Sequence, residues 1–302
     1  MVMRSTDFRA IVEPILNEEF DGVYEQRVDE WKGPFREVTG TQRNYHEEPV
    51  LYGFGAAPEL PDGSPVTYQD GGTLYIKRYQ YRVWGLAFAL TQVLVEDGDH
   101  IRLGQIYAKH LGQSLIETKE TLCANILNRA FNPSYPGGDG VPLNSFVHPI
   151  QSGTFSNVLS TAAALSQTSL EQLLVQVRQA VDNNGKRIQL KPRAIVCAPN
   201  NVFQAETILK SALRTGTGNN DVNPVKSMGL LDEGQYNLSR LTSNTAWWVL
   251  TDAPEGLKLV MRRGLKRSME GDFETDSMRF KATERYVPGF TDPRCVYGTP
   301  GL

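Results

Sequence analysis

Apolar residues recur every three or four positions from Ser5 to Trp31. Phe8, Ile11, Val12, Ile15, Leu16, Phe20, Tyr24, Val28 and Trp31 share one side, with acidic residues opposite. That spacing predicts an amphipathic N-terminal helix, bent near Pro14, where the ring removes a backbone donor. Gly33-Pro34 breaks the pattern, and Phe35 to Leu51 shows no clear period and reads as extended chain. Then comes Tyr52 to Gly72, YGFGAAPELPDGSPVTYQDGG, rich in Gly and Pro and without a positive charge. Most connections run to about 4–6 residues, so a structureless stretch of this length predicts an arm that leaves its own domain. Such an arm cannot bury its backbone alone; either it stays mobile or a neighbouring subunit orders it.

Beyond the arm, Thr73 to Leu90 alternates, with Tyr75, Tyr79, Tyr81 and Val83 on one face and Arg78, Gln80 and Arg82 on the other. This predicts one long strand, the return limb of a hairpin. Asp97-Gly98-Asp99 offers a turn and N-cap before Ile101 to Phe131, where Ile106, Tyr107, Leu111, Leu115, Leu122, Ile126 and Ala130 keep helical register. At 1.5 Å per residue that helix would be about 45 Å long. A turn-rich loop follows from Asn132 through Pro149.

The second half changes texture. Thr168-Ser169-Leu170-Glu171 reads as a capping box opening a helix with Leu170, Leu173, Leu174 and Val177 inward, closed by Asn183-Asn184-Gly185. Arg193 to Ala198 is a short buried strand, Asn200 caps a helix to about Leu213, and Thr215 to Asn220 forms a polar tip. Trp247 to Thr251 and Leu257 to Arg262 are strands around a Pro254-Glu255-Gly256 turn, and Ser277 to Tyr286 is a long alternating strand. Helices and strands mix without a regular βαβ repeat, so the fold class is α+β. No internal repeat is visible.

With 302 residues, 40% apolar, the chain can build a substantial core. Its formal net charge of −3 argues against gripping nucleic acid through a strong basic face, although not against enclosing it. No apolar run is long enough for a membrane span, and the N-terminus lacks a signal-peptide core, so no membrane partner and synthesis in a cytosol are expected. Cys123, Cys197 and Cys295 are odd in number and far apart, predicting plain thiols.

No catalytic constellation assembles. Gly53-Phe54-Gly55-Ala56-Ala57 resembles the start of a dinucleotide fingerprint, but Pro58 replaces the third glycine and no βαβ unit follows. Walker A, GxSxG and HExxH sequences are absent. His46, His100, His110 and His148 lack ligand spacing and read as surface or hydrogen-bonded side chains. Arg262, Arg263, Lys266 and Arg267 form the densest cationic cluster; it reads first as a solvated turn face and second as an inward patch that softens repulsion from packaged DNA. Trp247-Trp248 reads as core plus interface. No catalytic, cofactor-binding or metal-ligating residue is nominated, and the protein is expected not to be an enzyme.

Four motifs, in order, carry a family resemblance. They are Tyr52 to Pro58 with Thr67 to Gly72; Gly137-Gly138-Asp139-Gly140-Val141-Pro142; Asn223-Pro224-Val225-Lys226-Ser227-Met228-Gly229; and Ser268 to Gly301, in which Lys281 to Tyr286 leads to Gly289, Asp292, Arg294 and Tyr297-Gly298-Thr299-Pro300-Gly301. With the element order, they resemble the major capsid protein of tailed phages, the Hong Kong 97-like fold. The resemblance implies an N-terminal arm over 1–50, an E-loop hairpin over 51–95, a spine helix and first part of a peripheral domain over 96–165, an axial domain over 166–260 and a closing peripheral strand over 261–302.

It further implies a non-enzymatic shell subunit of the virion, assembled in the host cytoplasm as pentamers and hexamers into an icosahedral head around double-stranded DNA, without sequence-specific binding and without cofactors. Implied partners are other copies of itself, a portal and a decoration protein. Because Met1 lies close to the arm, a separate scaffolding protein and no large N-terminal cleavage are expected. The arm has no lysine and Lys77 lies on the strand, which disfavours covalent cross-linking of the kind some members show. Cys295 stands where similar proteins commonly have glycine, which leaves the conformation of that turn open. The alternative is an encapsulin-like nanocompartment shell enclosing protein cargo.

Overall fold

The structure is a computed structural model that describes residues 5–25, 29–91, 100–214, 221–272 and 277–302, the side chains of 5–11 and 100 excepted. Helix α1 (Ser5–Tyr24) is followed by strands β1 (Arg36–Thr39), β2 (Tyr45–Tyr52), β3 (Gly72–Gln80) and β4 (Arg82–Thr91), then the 29-residue helix α2 (His100–Asn128). Short strands β5 (His148–Ile150) and β6 (Gly153–Phe155) precede α3 (Gln167–Arg178), β7 (Pro192–Cys197), α4 (Val202–Lys210), α5 (Pro224–Ser227), β8 (Gly234–Asn237) and β9 (Trp247–Thr251). The long strands β10 (Leu257–Asp272) and β11 (Ser277–Phe290) and the short β12 (Val296–Thr299) close the chain. The mixture is α+β, as expected.

Two four-stranded sheets organise these elements. The first has the order β1-β10-β11-β4, with β1 parallel to β10 and the other pairs antiparallel. Helices α1 and α2 cover one face: Val12, Leu16 and Phe20 recur four residues apart and bury against Ala108, Leu111 and Leu115 of α2 and Met269, Phe280 and Ala282 of the sheet. The second sheet has the order β12-β9-β7-β8. Its β9 is buried on both sides, with Trp247 in the core under α3 and α4 and Trp248 in the core reached by α2. Alternate side chains point to opposite faces, so two adjacent tryptophans serve two cores.

Several expectations need correction. Helix α1 ends at Tyr24, not Trp31, because Tyr24 is bonded to Glu284 and Lys119 beside the first core while Trp31 packs into another. The strand expected over Thr73 to Leu90 is two: β3 pairs with β2 and β4 with β11, the chain changing sheets at buried Tyr81. Val83 therefore lies on the open face rather than with Tyr79. The capping box sits two residues early, with Ser166 Oγ accepting from the Ser169 amide and Ser169 Oγ accepting from the Ser166 amide.

Helix α4 stops at Lys210, where the Asn223 side-chain amide donates to the carbonyls of Ile208 and Ser211 at 2.6 and 3.0 Å. The strands expected around the Pro254 to Gly256 turn are present and belong to two different sheets. Asp97-Gly98-Asp99, the tip Thr215 to Asn220, Val28 and the side chains of Phe8, Ile11 and His100 lie outside the described residues.

Candidate assembly site: the hairpin arm and its root

The β2–β3 ladder runs from Tyr45 opposite Gln80 to Tyr52 opposite Gly72, with one register shift between Val50 and Leu51. Beyond it, residues 53–71 form neither helix nor strand. Gly and Pro deny this stretch a continuing ladder. Leu51, Phe54, Leu60 and Val66 are each more than half exposed, and Tyr68 is 94% exposed. Burying such groups is favourable by about 25 cal/mol per Å² of apolar surface, so the arm is a surface that gains from a cover. The Gly55 amide donates to Gln69 Oε1 at 2.8 Å, tying the two limbs together.

Two sets of contacts hold the root. Asn183 Nδ2 donates to the Leu51 carbonyl at 2.8 Å, and Asn184 Nδ2 to those of Gly53 and Phe54 at 2.7 and 3.2 Å. The asparagines are presented by a tight turn in which Asp182 Oδ1 accepts from the amides of Asn184 and Lys186, both at 2.8 Å, and Gly185 adopts φ +80. Only glycine enters that region freely. The Asn-Asn-Gly run expected to close α3 thus grips the arm instead; the helix ends at Arg178. Nothing local in the sequence names a partner some 130 residues away.

The second anchor is buried and charged. Lys258, 2% exposed on β10, reaches Glu48 Oε2 of β2 at 2.5 Å and also pairs with Glu255. Glu48 further accepts from Thr291 and contacts His46 Nε2 at 2.9 Å, while Tyr79 and Thr291 hydroxyls meet at 2.5 Å. Burial by itself would raise the Glu48 pKa, but the hydrogen bonds from Lys258, Thr291 and His46, with the ammonium charge, outweigh it and hold the carboxyl below its usual range.

Among the described residues no cluster of three or more His, Cys, Asp or Glu could hold a metal, and no helix is long and apolar enough to cross a membrane. The three cysteines are free and buried. Burial pushes the Cys197 thiol up to about 11 and the other two higher, away from a reactive thiolate. Cys295 sits in a short 3-10 turn whose cap Asp292 accepts from the Arg294 amide at 2.9 Å. His148 is buried between Asp139 and Asn157, at 2.6 and 3.1 Å, and His46 serves the root.

The cationic cluster lies on strand β10, not on a turn, because β10 continues to Asp272. Arg267 binds Asp21 at 2.5 Å, Arg263 the Thr283 hydroxyl at 2.9 Å and Arg262 the Thr41 carbonyl at 2.9 Å, so three of its four charges tie the fold together. Gly53 to Ala57 lie exposed in the arm, with no helix after them to complete a cofactor fingerprint.

Comparison with known proteins bears on this architecture. The family described as phage capsid protein matches residues 77–298. Similar solved structures include a virus-like particle from Pyrococcus furiosus, 12% identical, covering 95% of this chain and 98% of that one at a TM-score of 0.54. The capsid of cyanophage P-SCSP1u is 13% identical over 90% and 88% of the two chains, TM-score 0.53. The mature capsid of bacteriophage PhiM1 is 13% identical over 89% and 86%, TM-score 0.54. No curated protein matches in sequence. At these identities the structural likeness carries the fold, which is Hong Kong 97-like.

Proposed function

The chain belongs to the phage capsid protein family, and from that premise we propose that it assembles as pentamers and hexamers into an icosahedral head shell around double-stranded DNA. The observation that carries this reading is the arm: a hairpin rooted by a buried Glu48–Lys258 pair and ending in exposed apolar residues. One surface reaching a different surface on the next copy is a heterologous contact, and such contacts close into rings. On this reading residues 51–95 are the E-loop, α2 is the spine helix, 166–260 the axial domain and 261–302 the closing peripheral strand. On the same reading, assembly takes place in the host cytoplasm, with a portal and a decoration protein as further partners.

The fold is shared with the virus-like particle from Pyrococcus furiosus, and the second reading is a shell enclosing protein cargo. Size-exclusion chromatography with negative-stain electron microscopy of the purified chain, alone and with its scaffold, is the test. Rings or closed shells are expected, and a strictly monomeric protein under both conditions would refute shell formation. Particles holding protein and no DNA would select the second reading.

A further inference from the structure

A buried polar cluster lies beside the arm root. His148, 0% exposed at the start of β5, sets Nδ1 against Asp139 Oδ2 at 2.6 Å and Nε2 against Asn157 Oδ1 at 3.1 Å. The orientation of Asn157 is fixed by its other contacts. Its Nδ2 donates to the carbonyls of Leu143, Pro293 and Val296 at 2.7, 2.9 and 3.0 Å, and its Oδ1 accepts from the Ser145 amide at 2.9 Å. Turned over, the side chain would set its oxygen against three carbonyls. Nε2 of His148 therefore donates. On the other side an ionised carboxylate offers only lone pairs, so Nδ1 donates as well. A neutral ring carries one proton and would leave lone pairs facing each other at one of the two contacts.

The cluster reaches both limbs of the hairpin. Asp139 follows Gly138, whose backbone lies so close to β3 that an added Cβ would stand 2.8 Å from the Tyr75 ring and 3.2 Å from Lys77 Cβ. Strand β5 leads to Gln151, whose amide donates to the Asn183 carbonyl at 2.9 Å, and Asn183 holds Leu51 of β2. The Asp139–His148 contact thus joins the loop against one limb to the strand that supports the grip on the other. Phe155 stacks on the imidazole with ring centroids 4.8 Å apart and carries the Arg294 guanidinium at 4.3 Å, and an aromatic face favours a cation. Asp292 and Arg294 add one charge of each sign from the turn before β12, and Tyr75 and Lys77 of β3 feel the Asp139 charge. Burial raises the Asp292 pKa against the hydrogen bonds and charge of Arg294 and the charge of His148. We propose that His148 is a buried cation carrying both ring protons, and that the Asp139–His148–Asn157 cluster is a proton-dependent clamp on the hairpin root, which loosens when rising pH removes the second proton. The sign follows from linkage: the folded state binds the extra proton, so the clamp is complete with that proton bound and fades as pH rises. It goes beyond the shell-forming reading and needs only the rooted hairpin.

The test uses the full chain labelled with nitrogen-15 histidine. At pH 6 His148 shows two protonated ring nitrogens. Hydrogen exchange of the β2 amides, taken as a ratio to those of β9 so that the chemical pH dependence cancels, rises about tenfold between pH 6 and pH 9. In Asp139→Asn an amide can donate to Nδ1 while Nε2 donates to Asn157, so a neutral ring satisfies every contact; His148 then carries a single ring proton and the ratio stays flat over the same range. Lys77→Met keeps the wild-type response. A neutral His148 ring in the wild type at pH 6, a flat wild-type ratio, or an undiminished response in Asp139→Asn would overturn the clamp. Loss of the response in Lys77→Met would also overturn it, by assigning the effect to the lysine. The measurement is made on the subunit, so a chain that forms no shells still tests the clamp, and a failed clamp leaves shell formation untouched.

Discussion

The arm and strand β9 use the same kinds of side chain to opposite ends. In β9 all five residues are buried, because β7 and β12 satisfy its backbone on both edges and a core lies on each face. In the arm Phe54, Leu60, Val66 and Tyr68 have no such neighbours, since Gly and Pro stop the β2–β3 ladder at Tyr52 and Gly72. An apolar residue stabilises the subunit only where its backbone also has partners. Where it has none, the same residue contributes to whatever later covers it. On the proposed reading, stability and assembly are thereby written into different stretches of one chain.

Deleting Ala57 to Gln69 tests the assembly side of that contrast and has the largest expected effect. Shells are lost altogether, while the subunit stays soluble and its unfolding free energy changes by no more than about 0.5 kcal/mol, the scale of changes away from the core; calorimetry and electron microscopy read the two. Trp248→Ala is the converse, costing about 3–5 kcal/mol in chemical denaturation and also releasing the Asn144 oxygen that accepts from the indole at 3.1 Å. Normal shells from the deletion, or an unchanged stability for Trp248→Ala, would erase the distinction.

Lys258→Met probes the seam between the two regions. It leaves Glu48 buried without its cation, which costs about 3 kcal/mol, and it speeds hydrogen exchange along Tyr45–Tyr52 more than along Trp247–Thr251. Acid acts in the same direction. The Glu48 pKa is lowered on folding, so its contribution is complete above the usual carboxylate value and is lost as pH falls below it. Hairpin amides that stay protected after this substitution would show that the ladder alone holds the arm.

Glu120 sharpens the comparison from the core side with the smallest effect. Burial, then the charges of Glu30 and Asp29, push it up to about 7, although it accepts the Trp31 amide at 3.1 Å. The folded chain keeps a proton that the unfolded chain has released, so its contribution to stability declines as pH rises from about 4.5 to about 7. Glu120→Gln keeps an acceptor and removes the charge. A gain of about 1 kcal/mol, after allowance for solvent screening, is expected at pH 8 and none at pH 4; equal gains at both would show that the carboxylate is not the cause.

Much of this was legible from local pattern. The four-residue stripe of Val12, Leu16 and Phe20, the inward Leu170, Leu173, Leu174 and Val177, and the Gly- and Pro-rich arm all appear where periodicity and punctuation put them. The misses share a cause. The break at Tyr81, the end of α1 and the use of Asn183 and Asn184 each depend on a partner far away in the chain, and periodicity reports only which side of an element is apolar.

Composition and order of elements by themselves determined an α+β chain with one long helix and an uncovered arm, because these follow from short-range spacing. Only the tertiary structure decided that Thr73 to Leu90 serves two sheets, that the densest cationic cluster lies on a strand and ties the fold together, and that Glu48 meets Lys258 at the arm's root. The physical reason is that backbone pairing and charge pairing are satisfied in space, between groups whose separation along the chain carries no signal of their meeting.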